Sequence, residues 1–346
     1  MQGGQKKAVP EKERSIKGWQ EVFRELYFQA DSTRTPEQMW IAVMAHTSSI
    51  GESIRKFAFE NLLDSAAHTF CWLCSFVNKC NKLENDVFSI TDSLCGIVSL
   101  MYPKVCGHCQ HNPCNCDPVR IEGKKDKSAL YQELLRRRKN VLASFEGYSI
   151  KDGLEDFDDI YRGRIHIQTL ENIGFHFLEE VGEAAVRVRQ LSQLRKVTDD
   201  VNTGIELAFL KELSTVEGIV KNYPKYEESL KHINYASRDP TMLKARLVGA
   251  KMGLVAEIAD SFSWFCSILN KLDSISKSIH KNPEKQEHII RSLEQVLNET
   301  YFDSNGNARC PSCNSNPCNC AFYNLVIENG LTPLTSRKKR KVVKCT

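Results

Sequence analysis

The feature that most constrains this chain is a cysteine cluster that occurs twice. Cys106-Gly107-His108-Cys109-Gln110-His111-Asn112-Pro113-Cys114-Asn115-Cys116 and Cys310-Pro311-Ser312-Cys313-Asn314-Ser315-Asn316-Pro317-Cys318-Asn319-Cys320 share the spacing C-x2-C-x4-C-x-C. They also share the inner run Asn-Pro-Cys-Asn-Cys. Upstream of each lies a second anchor: Trp72-Leu73-Cys74-Ser75-Phe76-Val77-Asn78-Lys79 aligns without gaps on Trp264-Phe265-Cys266-Ser267-Ile268-Leu269-Asn270-Lys271. Further upstream, Ile50-Gly51-Glu52 aligns on Val181-Gly182-Glu183. Anchors kept in one order make the chain a tandem repeat of a single unit.

The unit reads as helical. Trp19, Val22, Phe23, Leu26 and Tyr27 recur at helical spacing over residues 16–28. Thr35 followed by Pro36 signals the start of a second helix, which continues through Val43, Ile50 and Ile54. Third and fourth helices are expected near 61–83 and 86–100, and the second repeat should match the four at 157–162, 168–193, 254–272 and 283–299. The predicted class is all-α, two repeats each closed by a small cysteine knob. The predicted order is a disordered start (1–15), a first repeat with its cluster (16–117), and a linker with the basic helix Arg136-Arg137-Arg138-Lys139 (118–150). A second repeat with its cluster follows (151–322), then a basic tail (323–346) carrying Arg337-Lys338-Lys339-Arg340-Lys341. An extra helical segment near 196–250 sits inside the second repeat, with breaks expected at Tyr223-Pro224 and Asp239-Pro240.

Eight of the fourteen cysteines belong to the clusters. Thiolates at such spacing ligate Zn²⁺ tetrahedrally in closed structural sites. One zinc is expected on Cys106, Cys109, Cys114 and Cys116, and another on Cys310, Cys313, Cys318 and Cys320. The C-x-C pair is tight, which makes His108 and His111 alternative ligands in the first cluster only; Ser312 and Ser315 replace them in the second. Cysteines alone are therefore expected to hold both ions. Cys71, Cys74, Cys80, Cys95 and Cys266 fall in apolar helical stretches and read as buried thiols. This usage suits a reducing compartment, and with no signal-peptide core at the start the expected location is cytoplasmic. No apolar run approaches a membrane span, so no membrane partner is expected. At 41% hydrophobic and 26% charged residues the chain has a globular composition. A net charge of +4 gives no reason to expect a nucleic-acid scaffold.

The halves differ in their acids. Glu179, Glu180 and Glu183 stand where the first half has Ser48, Ser49 and Glu52, while Glu257 and Asp260 stand where it has Ser65 and His68. At about 100° per residue each acidic set falls within a wedge of roughly 100° or less on its helix. Facing one another, five carboxylates would make a site for hard divalent cations. A solvated acidic face would carry the same periodicity. Against it, the three glutamates lack interleaved lysines, and Trp264 and Lys271 lie at helical spacing from Asp260.

Glu179-Glu180-x-x-Glu183 followed by Glu257-x-x-Asp260 resembles the E-E-x-x-E … E-x-x-D signature of the MazG-like all-α nucleoside triphosphate pyrophosphohydrolases. Ile160-Tyr161-Arg162-Gly163-Arg164 and Leu170-Glu171-Asn172-Ile173-Gly174 are similar to its lead-in. The resemblance covers roughly residues 154–298 and, more weakly, 19–100. It implies a helical bundle, usually dimeric, that cleaves the α–β bond of a nucleoside triphosphate to give a monophosphate and pyrophosphate. It implies Glu179, Glu180, Glu183 and Asp260 as Mg²⁺ ligands, with Glu257 a further ligand or the base that positions water. Lys271, Arg162 and Arg164 would neutralise the triphosphate. Trp264 has two readings, contact with the base or core packing. The first half, lacking four of the five acids, is expected to act as a built-in partner in an intramolecular pseudo-dimer, with homo-oligomers left open. Two other functions fit the same residues: a non-catalytic nucleotide-binding or regulatory protein, and a zinc-knob nucleic-acid adaptor.

Overall fold

The computed structural model describes residues 13–116, 127–165, 167–198, 205–234, 237–279, 292–318 and 320. Residues 1–12 of the expected disordered start, positions 118–126 of the linker, positions 199–204 and 235–236 of the insert, the 283–291 portion of the expected last helix and the basic tail lie outside them. The helices are α1 (Ile16–Leu26), α2 (Phe28–Thr33), α3 (Pro36–Arg55), α4 (Phe59–Lys82), α5 (Leu94–Met101), α6 (Lys127–Val141), α7 (Ile150–Ile165), α8 (Leu170–Thr198), α9 (Leu207–Glu212), α10 (Val216–Lys231), α11 (Pro240–Ile279) and α12 (Leu293–Tyr301). Among the described residues no strand is built, only two isolated bridges. The protein is all-α.

Local chemistry sets the helix starts. Thr35 Oγ1 accepts from the Gln38 amide at 3.3 Å while the Thr35 amide donates to Gln38 Oε1 at 3.0 Å, a reciprocal capping box ahead of Pro36. Ser15, Ser93 and Ser292 cap α1, α5 and α12. The expected fourth helix is shorter than its apolar pattern suggested. Asp86 Oδ1 accepts from the Phe88 amide at 2.8 Å, and this local turn postpones the helix to Ser93. The first helix of the second repeat is longer than expected, running from Ile150.

The insert also differs from its expected outline. Pro224 lies inside α10 and does not break it. A helical proline leaves the carbonyl four residues back without its donor; here Gln132 Nε2 from α6 donates to the Val220 carbonyl at 3.0 Å. Gln132→Leu should therefore cost about 1 kcal/mol in chemical denaturation, because a buried acceptor is left unmatched. Asp239-Pro240 is the start of a helix, as proline at a first turn allows, and that helix is α11 itself. One segment of 40 residues, about 60 Å long at 1.5 Å per residue, runs from the insert straight into the acidic stretch. It is long and apolar enough by composition to cross a membrane, unlike what the sequence suggested, but 89% of the qualifying window is buried in the protein.

α8 packs along α11 and α3 along α4, and α3 lies against α8 to join the repeats. The approach is close: a Cβ on Gly174 would stand 2.8 Å from Ile54 Cδ1, and Trp40 Nε1 donates to the Val181 carbonyl at 3.1 Å. The fourth helices cross over. α5, from the first repeat, packs on α11, whereas α12, from the second, packs on α4. The knobs follow them. The Cys114 amide donates to the Ile160 carbonyl of α7 at 2.6 Å, and the Cys318 amide to the Leu26 carbonyl of α1 at 2.7 Å. Each cysteine knob is thus hydrogen-bonded to the first helix of the other repeat.

Lys251 is fully buried on α11 and donates to the carbonyls of Ser89 (2.6 Å) and Leu213 (3.0 Å), tying the insert to the α4–α5 turn. Burial lowers its pKa to about 7, opposed by Cys80 and Asp86. The unfolded chain then binds more protons than the folded one between about 7 and the free-lysine value near 10.4, so this residue makes stability rise with pH across that window. Lys251→Met should remove that rise, by up to about 1.4 kcal/mol per pH unit, in urea melts at pH 7.5 and 9.5. Equal slopes in the two proteins would contradict it.

Candidate functional site

The antiparallel pair α8 and α11 brings three of the five expected acids together. Carboxylate oxygens of Glu180, Glu183 and Glu257 lie within 4.8 Å of one another. Such a group could hold a metal ion. Asp260, one turn beyond Glu257, is buried, and its Oδ1 accepts from the Tyr102 hydroxyl at 2.5 Å. Burial and the nearby carboxylates Asp260, Glu257, Glu183 and Glu179 raise Glu180 to about 9. Burial with Asp260 and Glu183 raises Glu257 to about 7, against the opposing pull of Arg187. Burial raises Asp260 to about 6, offset by the Tyr102 hydrogen bond. Glu179 stands apart: it is 61% exposed and faces His176 at 3.3 Å.

Tyr102 was not singled out by sequence. It follows α5, which crosses from the first repeat, so its hydroxyl reaches an acid more than 150 positions away. Phe157 and Tyr161 pack edge-on around its ring at 5.1 and 6.4 Å. The corresponding place in the first repeat has the same arrangement with exchanged chemistry. Tyr301, from the second repeat, stands 3.0 Å from Nδ1 of His68, the counterpart of Asp260. Ser48 and Ser49 turn back to the carbonyls of Met44 (2.9 Å) and Ala45 (3.2 Å) on their own helix.

A cavity of about 290 Å³ opens beside the acids between α6, α8, α10 and α11, with Glu257 at its edge. Its wall carries Lys127, Arg187 and Arg246, with Gln190, Tyr131 and Tyr223. Arg187 stands 3.6 Å from Glu257. The four expected substrate residues are not among those lining it. Lys271 Nζ donates to the Ile165 carbonyl at 3.0 Å, just as Lys79 Nζ donates to the Asp31 carbonyl at 2.9 Å. Asn270 Nδ2 donates to the Leu154 carbonyl at 2.8 Å, as Asn78 Nδ2 does to that of Gln20 at 2.7 Å. The Asn-Lys pair common to both repeats therefore fastens α11 to α7, and α4 to α1 and α2. Arg164 donates to the Cys116 carbonyl, and Arg162 pairs with Asp159 on the surface. Trp264 stacks on Tyr161 and His176, with ring centroids at 6.2 and 4.6 Å.

The cysteines of each knob converge. Sulfurs of Cys106 and Cys116 are 3.7 Å apart and those of Cys109 and Cys114 3.9 Å; in the second knob Cys310–Cys320 is 3.7 Å and Cys313–Cys318 3.8 Å. A tetrahedron with Zn–S bonds of about 2.3 Å has edges of about 3.8 Å. Both clusters match zinc ligation by four cysteines. His111 instead places Nδ1 2.6 Å from the Cys109 carbonyl. The knobs are alike down to left-handed Gln110 and Asn314 and the cis bonds before Pro113 and Pro317. No family model, no curated protein and no solved structure matches this chain.

Proposed function

We propose that this protein is a Mg²⁺-dependent nucleoside triphosphate pyrophosphohydrolase with one active site, in the second repeat. The observation that carries the reading is the meeting of Glu180, Glu183 and Glu257, with Asp260 beside them, next to a cavity that Glu257 lines together with Lys127, Arg187 and Arg246. Carboxylates half-withdrawn from water and pressed against one another are held above their ordinary range. Such a cluster is unfavourable by itself and becomes favourable around a hard cation, which prefers oxygen ligands. Glu180, Glu183, Glu257 and Asp260 would hold it. Magnesium there supplies neutralisation of phosphate charge and a lowered pKa for water.

The chain's own residues do the positioning. Tyr102 orients Asp260 through its hydroxyl. Arg187 balances Glu257 and keeps it from full repulsion by its neighbours. Glu179, turned outward to His176, is assigned no ligand role. The first repeat serves as the built-in partner, with α3 pressed on the back of α8. The zinc knobs are structural clips.

The test is direct: incubate the full chain with Mg²⁺ and a panel of ribo- and deoxynucleoside triphosphates, and assay monophosphate and pyrophosphate. Nucleotide binding without turnover would transfer the site to the non-catalytic regulatory reading. Neither binding nor turnover would remove the nucleotide altogether.

A further inference from the structure

We infer that the cavity beyond Glu257 receives the diphosphate end of the substrate, the part released as pyrophosphate. The inference rests on the proposal that the acids at the other end of the groove hold metal and the scissile phosphates. Along α8, Glu180 and Glu183 are followed at helical spacing by Arg187 and Gln190, while along α11, Glu257 is preceded by Gly253 and Arg246. The wall therefore passes from carboxylates to cations within about two helical turns on α8 and about three on α11. Lys127, Arg187 and Arg246 line the wall together with one carboxylate, Glu257. A lining in which cations outnumber acids suits a polyanion, and arginine's planar fork suits phosphate oxygens.

Three details show a built site. The Nε of Arg187 is buried without an acceptor. Its guanidinium lies close against Gly253, where an added Cβ would stand 2.4 Å from Nε and 3.0 Å from Cζ, so a larger residue would push the arginine out of this position. The volume, about 290 Å³, is at the lower end for small-molecule sites (~300–1,000 Å³) and suits a diphosphate better than a whole nucleotide. A nucleobase is the weaker fit. The two tyrosines of the wall meet edge to face, 5.1 Å apart at 88°, and do not form a slot between parallel rings. α6 comes from the region between the repeats and α10 from the insert, so the segments without a counterpart in the first repeat roof this chamber.

The test is calorimetric titration of the full chain with inorganic pyrophosphate, and separately with nucleoside monophosphates, in Mg²⁺ buffer. Arg187→Gln and Arg246→Gln should each weaken pyrophosphate binding about tenfold or more, the loss expected for a charge-assisted hydrogen bond. Monophosphate affinity should change less than about twofold in Arg246→Gln. Gly253→Ala keeps every charge and should reproduce the Arg187→Gln defect by displacing the guanidinium; thermal melts confirm that each variant is folded. Absence of pyrophosphate binding by the unaltered protein, unchanged affinity in the variants, or an equal loss for monophosphates would overturn the inference. The two proposals fail separately. Turnover with undiminished pyrophosphate affinity in the variants removes the chamber and keeps the hydrolase. Arginine-dependent pyrophosphate binding without turnover keeps the chamber and removes the hydrolase.

Discussion

Glu180→Gln should abolish pyrophosphate release and, in metal-free buffer, make the protein more stable. The two effects share a cause. Glu180 sits among Asp260, Glu257, Glu183 and Glu179, and its pKa is held at about 9. A carboxyl whose folded pKa exceeds its unfolded one binds more protons in the native state between about 4.3 and 9, so metal-free stability falls as pH rises through that window. Glutamine removes that fall and adds no charge. Without the carboxylate one leg of the cation site is missing, and turnover should drop roughly a thousandfold, the scale for loss of a group that stabilises transition-state charge. Three measurements check this: turnover, the melting midpoint without metal at pH 7 and 8.5, and the gain in midpoint on adding Mg²⁺. The unaltered protein should melt lower at pH 8.5 than the variant and recover with Mg²⁺; the variant should respond little. Full activity in Glu180→Gln, or a variant that Mg²⁺ stabilises as strongly as the unaltered chain, would reject the assignment.

The second large effect is expected from zinc, and it should cross between the halves. Structural zinc in small cysteine sites contributes on the order of 10 kcal/mol of apparent binding energy. Cys106→Ser or Cys310→Ser should therefore lower the melting midpoint by more than about 10 °C, with about one zinc per chain lost in metal analysis. The consequences at the acids should be unequal. The first knob follows Tyr102, which holds Asp260, and its Cys114 amide clips Ile160 of α7. The second knob follows Tyr301, which faces His68, and clips Leu26 of α1. Cys106→Ser should weaken Mg²⁺ binding at the second-repeat acids markedly more than Cys310→Ser does, although the acids and Cys310 belong to the same repeat. The opposite order would mean that the crossover does not couple the knobs to the site.

Much of this was legible in the residues because it depends on local chemistry. The Thr35-Pro36 start is a property of a few consecutive residues, and it is found as read. The cysteine spacing sets a loop short enough to converge, and both clusters do converge. Where the reading missed, a remote partner decided. Pro224 stays helical because Gln132, from another helix, occupies the carbonyl that proline strips of its donor. Lys271 reads as a phosphate contact because it lies at helical spacing from Asp260; its Nζ donates to the Ile165 carbonyl and ties α11 to α7. Arg187, Arg246 and Lys127 escaped notice because they are scattered through the chain and meet only around the cavity.

The sequence by itself determined the duplication, the helical class, the two tetracysteine knobs and the acids present in one half only. Each follows from spacing along the chain, where covalent connection and helical periodicity leave little freedom. Tertiary structure alone decided which knob serves which repeat, which acids come together and which cations line the cavity beside them. Two similar repeats offer nearly equivalent surfaces, so α5 and α12 can pack on their own repeat or on the other, and local residues do not distinguish the two. Burial of their apolar faces in the assembled bundle makes that choice, and through Tyr102 it brings a residue of the first repeat against the acids of the second.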